Sequence, residues 1–185
     1  MTRALFPRAL FLDRDGVINH EIGYLYLSAD VRFVDGIFDL CRGAQSLGYR
    51  LVVITNQAGI ARGYYSEADF HLLMDWMRAE FVREGVALDA VYYCPFHPVH
   101  GVGEYLREHP DRKPSPGMLL RAADDLGLDL QSSILIGDRC SDIAAANAAK
   151  LRQAFLLAGT EASPCDGDYI RIERLAEAEA WLRRR

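Results

Sequence analysis

Two aspartates, Asp13 and Asp15, stand either side of Arg14 directly after the apolar run Ala9–Leu12, and Gly16 follows at once. Thr55 and Asn56 follow a second apolar run, Leu51–Ile54, and Gly137 and Asp138 follow a third, Ser133–Ile136. Arg112 and Lys113 close a long Pro-, His- and Gly-rich stretch that begins at Cys94. Carboxylates gathered without a cation repel, and some are forced to protonate. Mg²⁺ resolves that conflict: it takes one or two carboxylates and leaves its other positions to water and substrate phosphate. A lysine beside such a phosphate acts as a point charge. A threonine hydroxyl and the backbone N–H groups of the next turn donate to the same group. Phosphoryl transfer needs little more than this positioning, charge neutralisation and an in-line nucleophile. Asp13 suits the nucleophile, forming an aspartyl-phosphate. Asp15 suits the acid that protonates the leaving alkoxide and the base that then activates water.

Each element alone has an ordinary reading. An Asp-x-Asp after a strand is often a turn or a helix cap, a Gly-Asp is commonly a turn, and a Lys-Pro is a solvated loop. All of them in this order, each after a strand except the lysine, are difficult to obtain by accident.

The elements that must position these groups alternate. Strands are expected at Ala9–Leu12, Leu51–Ile54, Val91–Tyr93, Ser133–Ile136 and Ala154–Leu157. Helical spacing covers Gly36–Leu47, a segment from Ser66 to about Glu84, Pro116–Leu126, Ser141–Lys150 and Arg174–Arg184. Ser66 with Asp69 forms a helix start, and Gly48, Gly85 and Gly127 mark helix ends. Continuous apolar strands alternating with helices predict a three-layer α/β/α parallel sheet, covered on both faces. In that Rossmann-like architecture ligands bind at the carboxyl ends of the strands, where the candidate residues fall. The stretch from Cys94 to about Pro114 is longer than a structural connection needs, which points to function or insertion.

Length and composition agree. At 185 residues the chain is most simply one domain, 1–185, able to bury about 70% of its unfolded surface. A net charge of −5 argues against a nucleic-acid partner. No run approaches the roughly 18 apolar residues of a membrane span, and the N-terminal run is too short for a signal peptide. The basic end "WLRRR" reads as a solvated helix terminus. Cys41, Cys94, Cys140 and Cys165 form no C-x-x-C pair and are expected as reduced thiols in a cytoplasmic protein. Cys41 reads as core packing.

The stretches "FLDRDGVIN", "VVITNQAGIARG", "RKPSPGM" and "IGDRCSD" resemble the four motifs of the haloacid dehalogenase superfamily, in its small-cap, histidinol-phosphatase-like branch. "HEIGYLY", "VYYCPFHP" and the residues after Lys113 narrow the resemblance to the sugar-bisphosphate phosphatases of that branch. The likeness runs from about Ala9 to Thr160. It implies a minimal cap, a Mg²⁺ cofactor, a small sugar bisphosphate as substrate and a monomer. It also implies roles. Asp13 and Asp15 are catalytic. Mg²⁺ is held by the Asp13 carboxylate, the Asp15 backbone carbonyl and Asp138. Thr55 and Lys113 stabilise the transferring phosphoryl. Glu21, Ile22, Gly23 and Tyr24 line the substrate with Asn56, Gln57 and Ala58. Arg112 recognises the distal part of the sugar bisphosphate. Arg139 stands where the family often has lysine. Asp142 either supports the metal shell or caps the following helix.

One departure stands out. Many relatives hold a structural zinc with Cys-x-His and a later Cys-x-Cys before the Arg-Lys. Here Cys94 is kept, but Phe96, His109 and Asp111 occupy the other three places. Cys94, His97, His100 and His109 retain ligand chemistry without a recognised spacing. No structural Zn²⁺ is expected, and packing of Phe96, Tyr105 and the prolines must then hold the loop that carries Arg112.

Two rivals share the motifs. A histidinol-phosphate phosphatase of the same branch suits "IGDRCSD" equally, whereas "GYLY" and "GIARG" favour the sugar bisphosphate. A non-enzymatic phospho-acceptor also clusters aspartates with Mg²⁺ and a lysine, but lacks an acid two residues past the nucleophile.

Overall fold

The computed structural model describes residues 7–159 and 161–184. Thr160 and Arg185, the ends of the family likeness and of the basic tail, lie outside the described residues, as do residues 1–6.

Six parallel strands form one sheet in the order β3-β2-β1-β4-β5-β6. They are β1 (Arg8–Leu12), β2 (Tyr49–Asn56), β3 (Ala90–Cys94), β4 (Ile134–Gly137), β5 (Gln153–Leu157) and β6 (Ile170–Ile172). Leu10, Leu12, Val53, Ile136 and Phe155 face one core, with residues of the helices α1 (Ile37–Ser46), α3 (Glu67–Arg83) and α6 (Leu175–Arg183). Ala9, Phe11, Val52, Ile54 and Leu135 face a second, with α4 (Gly117–Leu126) and α5 (Cys140–Ala148). Successive strand residues point to opposite faces, so a sheet with two cores needs unbroken apolar strands. That is the physical content of "LVVI" and "ILI".

The expected helix signals are realised. Ser66 caps α3 through a reciprocal pair: its hydroxyl accepts from the Asp69 N–H at 3.1 Å, and the Asp69 carboxylate accepts from the Ser66 N–H at 2.8 Å. Gly127 ends α4 in the left-handed conformation, with φ of 63°. Two elements escape the sequence pattern. The strand β6 is three residues long and largely exposed at the sheet edge. The helix α2 (Ala58–Ala61) is a single turn after β2.

The expectation of reduced thiols fails for two of the four cysteines. Cys140 and Cys165 form a disulfide with Cα atoms 5.1 Å apart. They are 25 residues apart in sequence, and only the return of the chain through β5 brings them together. Cys41 and Cys94 are free and buried, Cys41 in the core as expected.

β1 lies between β2 and β4, so the chain leaves it in opposite directions on its two sides. That is the switch point at which such sheets open a crevice.

Candidate active site

A cleft of about 570 Å³ opens at the carboxyl edge of β1, β2 and β4. Asp13 leaves β1 with its backbone N–H bonded to the Ile136 carbonyl at 3.0 Å, which ties it to β4. The residue is 7% exposed, and its carboxylate accepts from the Arg14 N–H at 2.7 Å. Asp138 follows β4 and is 1% exposed; Asp142, in the first turn of α5, is fully buried. Carboxylate oxygens of Asp13, Asp138 and Asp142 all lie within 4.8 Å of one another.

Lys113 is buried against this cluster. Its Nζ is 2.9 Å from Asp13 Oδ1 and 2.5 Å from Asp142 Oδ1, and it donates to the Ile54 carbonyl at 3.1 Å. Asn56 clamps the Lys113 backbone with two hydrogen bonds of 3.0 Å, one in each direction. Lys113 thus pairs with two of the three carboxylates, and the Arg139 guanidinium feels the charge of all three. Burial, aided by Asp142, Asp138 and Asp15 and opposed by Lys113, pushes the Asp13 carboxyl up to about 8. Burial alone would lower Lys113, but Asp13 and Asp142 outweigh it and its pKa is raised. A buried, acidic, oxygen-only donor set short of positive charge suits a hard divalent cation such as Mg²⁺.

The chain must pass very close to Asp138. Gly16 sits at φ of 87°, and a Cβ there would lie 2.2 Å from Asp138 Oδ2. Only glycine meets both demands.

The Asp15 carboxylate turns away from the cluster. Arg14, fully buried, grips it from Nε and Nη2 at 2.8–3.1 Å and also donates to the Leu25 carbonyl. Asn19 donates to it at 3.0 Å and Gln57 at 3.2 Å. Gln57 also donates to the Thr55 hydroxyl at 2.8 Å, and its own carbonyl accepts from Tyr65 at 2.5 Å. A chain of side chains from Tyr65 thus fixes Asp15 and Thr55 relative to each other.

Asp13, Asp15, Glu21, Gly23, Tyr24, Thr55, Asn56, Gln57, Ala58, Arg112, Lys113 and Arg139 all line the cleft. Ile22 does not. Glu21 accepts from the Gly23 N–H at 2.7 Å, Gly23 and Tyr24 take positive φ, and Ile22 is left half exposed. Arg139 pairs with Glu21 at 3.0 Å on the exposed rim. Asp142 caps α5 by accepting from the Arg139 N–H at 3.1 Å, one of the two alternatives, and it also pairs with Lys113. Sequence reasoning missed Arg14, Arg62, Tyr65, His97 and Ser141. An arginine between two aspartates carries a burial signal only if one asks what balances the second acid.

Comparison with known proteins accords with this geometry. The HAD-hydrolase-like family model matches residues 111–178. A D-glycero-alpha-D-manno-heptose-1,7-bisphosphate 7-phosphatase of Burkholderia mallei is 51% identical over 92% of this chain and 87% of its own length. The chain belongs to this heptose-bisphosphate phosphatase family of haloacid dehalogenase-like hydrolases. A Vibrio cholerae family member, named for the beta anomer, is 48% identical over 76% of each chain. The crystal structure of D,D-heptose 1,7-bisphosphate phosphatase from B. bronchiseptica, complexed with magnesium and phosphate, superposes with a TM-score of 0.83. It is 25% identical and is matched over 96% of this chain and 98% of that one.

Within the family frame, the long loop of this chain is built from side-chain packing. The Phe96 ring lies between the Arg107 guanidinium, 4.0 Å from its centroid, and the stacked His109 ring at 4.5 Å. Tyr105 packs at 5.9 Å and donates to Glu67 of α3 at 2.7 Å. Asp111 pairs with Arg121 of α4 at 2.5 Å. His97 Nδ1 accepts from the N–H groups of Val99 and His100. The Phe96 carbonyl accepts from Arg112 at 3.1 Å, so the stack also places that guanidinium.

Proposed function

We propose that this chain removes the 7-phosphate of D-glycero-D-manno-heptose 1,7-bisphosphate, acting in the cytoplasm as a Mg²⁺-dependent monomer in heptose metabolism. The buried triad Asp13–Asp138–Asp142 with Lys113, of which Asp13 and Lys113 line the cleft, carries this reading. In it, the Asp13 and Asp138 carboxylates and the Asp15 backbone carbonyl hold Mg²⁺, with Asp142 behind them. When bound, Mg²⁺ neutralises charge on the transferring phosphoryl group.

The Asp13 carboxylate attacks phosphorus and the bond from phosphorus to the C7 oxygen breaks. Asp15 gives its proton to that leaving oxygen. Water then attacks the aspartyl-phosphate, Asp15 takes its proton back, and inorganic phosphate leaves Asp13. Thr55 and Lys113 hold the non-bridging oxygens. Glu21, Gly23, Tyr24, Asn56, Gln57 and Ala58 surround the sugar, and Arg112 takes its distal end. Arg139 sets charge at the rim. The Phe96 stack holds the long loop without structural Zn²⁺; metal analysis of protein purified without chelator should show no stoichiometric zinc, and about one zinc per chain would overturn that point.

The test is a panel of phosphate esters with Mg²⁺ present. Both anomers of the heptose bisphosphate and histidinol phosphate are compared by kcat/KM. Preference for a heptose bisphosphate is expected. A clear preference for histidinol phosphate would displace this reading within the same branch. A stable phospho-Asp13 with no ester turned over would favour a phospho-acceptor.

A further inference from the structure

The cleft holds more positive charge than transfer at Asp13 uses. Its basic groups divide into two sets. Lys113 is paired with Asp13 and Asp142, and Arg139 with Glu21. Arg62, His97 and Arg112 line the same cleft, and among the described residues none of them has a carboxylate partner within ion-pair distance.

Arg62 follows the short helix α2. Its Nε is buried without a hydrogen-bond partner among the described residues. Its guanidinium lies 5.9 Å from the Tyr24 ring, which in turn packs edge-on against Tyr64 at 4.6 Å. Arg112 comes from the long loop, and among the described residues its guanidinium gives one hydrogen bond, to the Phe96 carbonyl. His97 uses Nδ1 as a double acceptor, which leaves the proton of the neutral ring on Nε2 as a donor.

Burial, then Arg112, His100 and Arg62, hold His97 below its usual range. Burial lowers Arg112 against the smaller pulls of Cys94 and Glu108, and Arg62 adds least. Donors with no acceptor, and like charges with no counter-charge, describe an anion site. The loop is tied to Arg62's own segment, because Val102 N–H donates to the Ala61 carbonyl at 2.8 Å.

We infer that Arg62, together with His97 and Arg112, forms a second phosphate subsite that grips the phosphate not undergoing transfer. This rests on the proposed bisphosphatase reading and extends it: Arg112 was expected to read the distal end of the substrate, whereas Arg62 and His97 were not. Arg62 is here a specificity-determining residue. It binds the group that marks a bisphosphate and has no part in bond making.

Steady-state kinetics with the heptose 1,7-bisphosphate and with the heptose 7-monophosphate test the assignment. Arg62→Gln should raise KM for the bisphosphate by about tenfold or more, the loss expected for one charge-assisted hydrogen bond. It should leave kcat and the KM for the monophosphate nearly unchanged. Arg62→Lys should recover part of the loss, and thermal melts of both variants check that the fold is kept. Equal loss on both substrates, or no loss on either while the wild type prefers the bisphosphate, would overturn the subsite. Wild-type protein that hydrolyses the monophosphate as well as the bisphosphate would overturn the subsite and leave the phosphatase chemistry standing. Wild-type protein that hydrolyses neither would overturn the functional reading and the subsite with it.

Discussion

Asp13 and Asp15 are two residues apart and live in different electrostatic worlds. Asp13 faces two other buried carboxylates and one lysine, while Asp15 is gripped by Arg14, Asn19 and Gln57. Asp13→Asn should therefore abolish turnover and, without metal and above pH 8 where Asp13 is ionised, raise the melting temperature, because it removes one of three mutually repelling charges. A melting temperature that falls by several degrees would contradict the electrostatic account. Asp15→Asn should slow turnover by about 10²- to 10⁴-fold, the usual worth of a general acid–base; an effect on KM alone would remove it from that role. Arg14→Met should strip Asp15 of its main partner and destabilise the fold by about 3–5 kcal/mol, as when one member of a buried ion pair is deleted, measurable by urea unfolding. The pKa of Asp13 carries a sign. Its carboxyl is raised from 3.8 to about 8, so between those values the folded state holds a proton that the unfolded state has lost. Metal-free protein should lose stability as pH rises from about 4 to 8 through this group. Mg²⁺ offsets the repulsion once Asp13 ionises, so the rise in melting temperature it causes should be larger at pH 8 than at pH 5. An equal rise at both would contradict the linkage.

At the scale of elements, the loops after β1, β2 and β4 bring the acids, Thr55 and Asp138 to one edge, and the long loop adds Arg112 and Lys113. The strands and helices were legible because apolar periodicity and caps are local signals: "LVVI" needs two cores, and Ser66 with Asp69 needs a helix start. β6 was not legible, since three edge residues with two exposed carry no pattern. The Cys140–Cys165 bond was not legible either, because pairing across 25 residues depends on where β5 returns the chain. Most of the cleft residues were expected from the family resemblance. Ile22, expected with them, does not line the cleft, because a positive-φ turn follows it and it is left half exposed. Closing a loop of this length by a disulfide contributes about 3 kcal/mol. Cys165→Ser should therefore lower the urea-unfolding free energy by about that amount; unchanged stability under non-reducing conditions would contradict it. Gly16→Ala should fold poorly around Asp138 and lose Mg²⁺ affinity, because the added methyl meets the Asp138 carboxylate in a backbone conformation that L side chains rarely adopt.

The whole molecule is a parallel sheet whose switch point coincides with its carboxylate cluster. The net charge of −5 does not describe the cleft, where Arg62, Arg112, Lys113 and Arg139 gather. Of these, Lys113 and Arg139 are paired with carboxylates, and Arg62 and Arg112 are the ones left to attract a small anion. Among the described residues no helix is long and apolar enough to cross a membrane. The central claim is that a bound phosphate ester passes its phosphoryl group to Asp13 before water receives it. Trapping that intermediate tests it most directly. The Asp15→Asn variant, slowed in hydrolysis, is mixed with Mg²⁺ and heptose bisphosphate, quenched in acid and digested. Mass spectrometry should find one phosphoryl group on the peptide that contains Asp13, and none when Asp13→Asn is added to the same variant. Phosphate released with no labelled peptide at any time point, or a label that survives Asp13→Asn, would contradict the account.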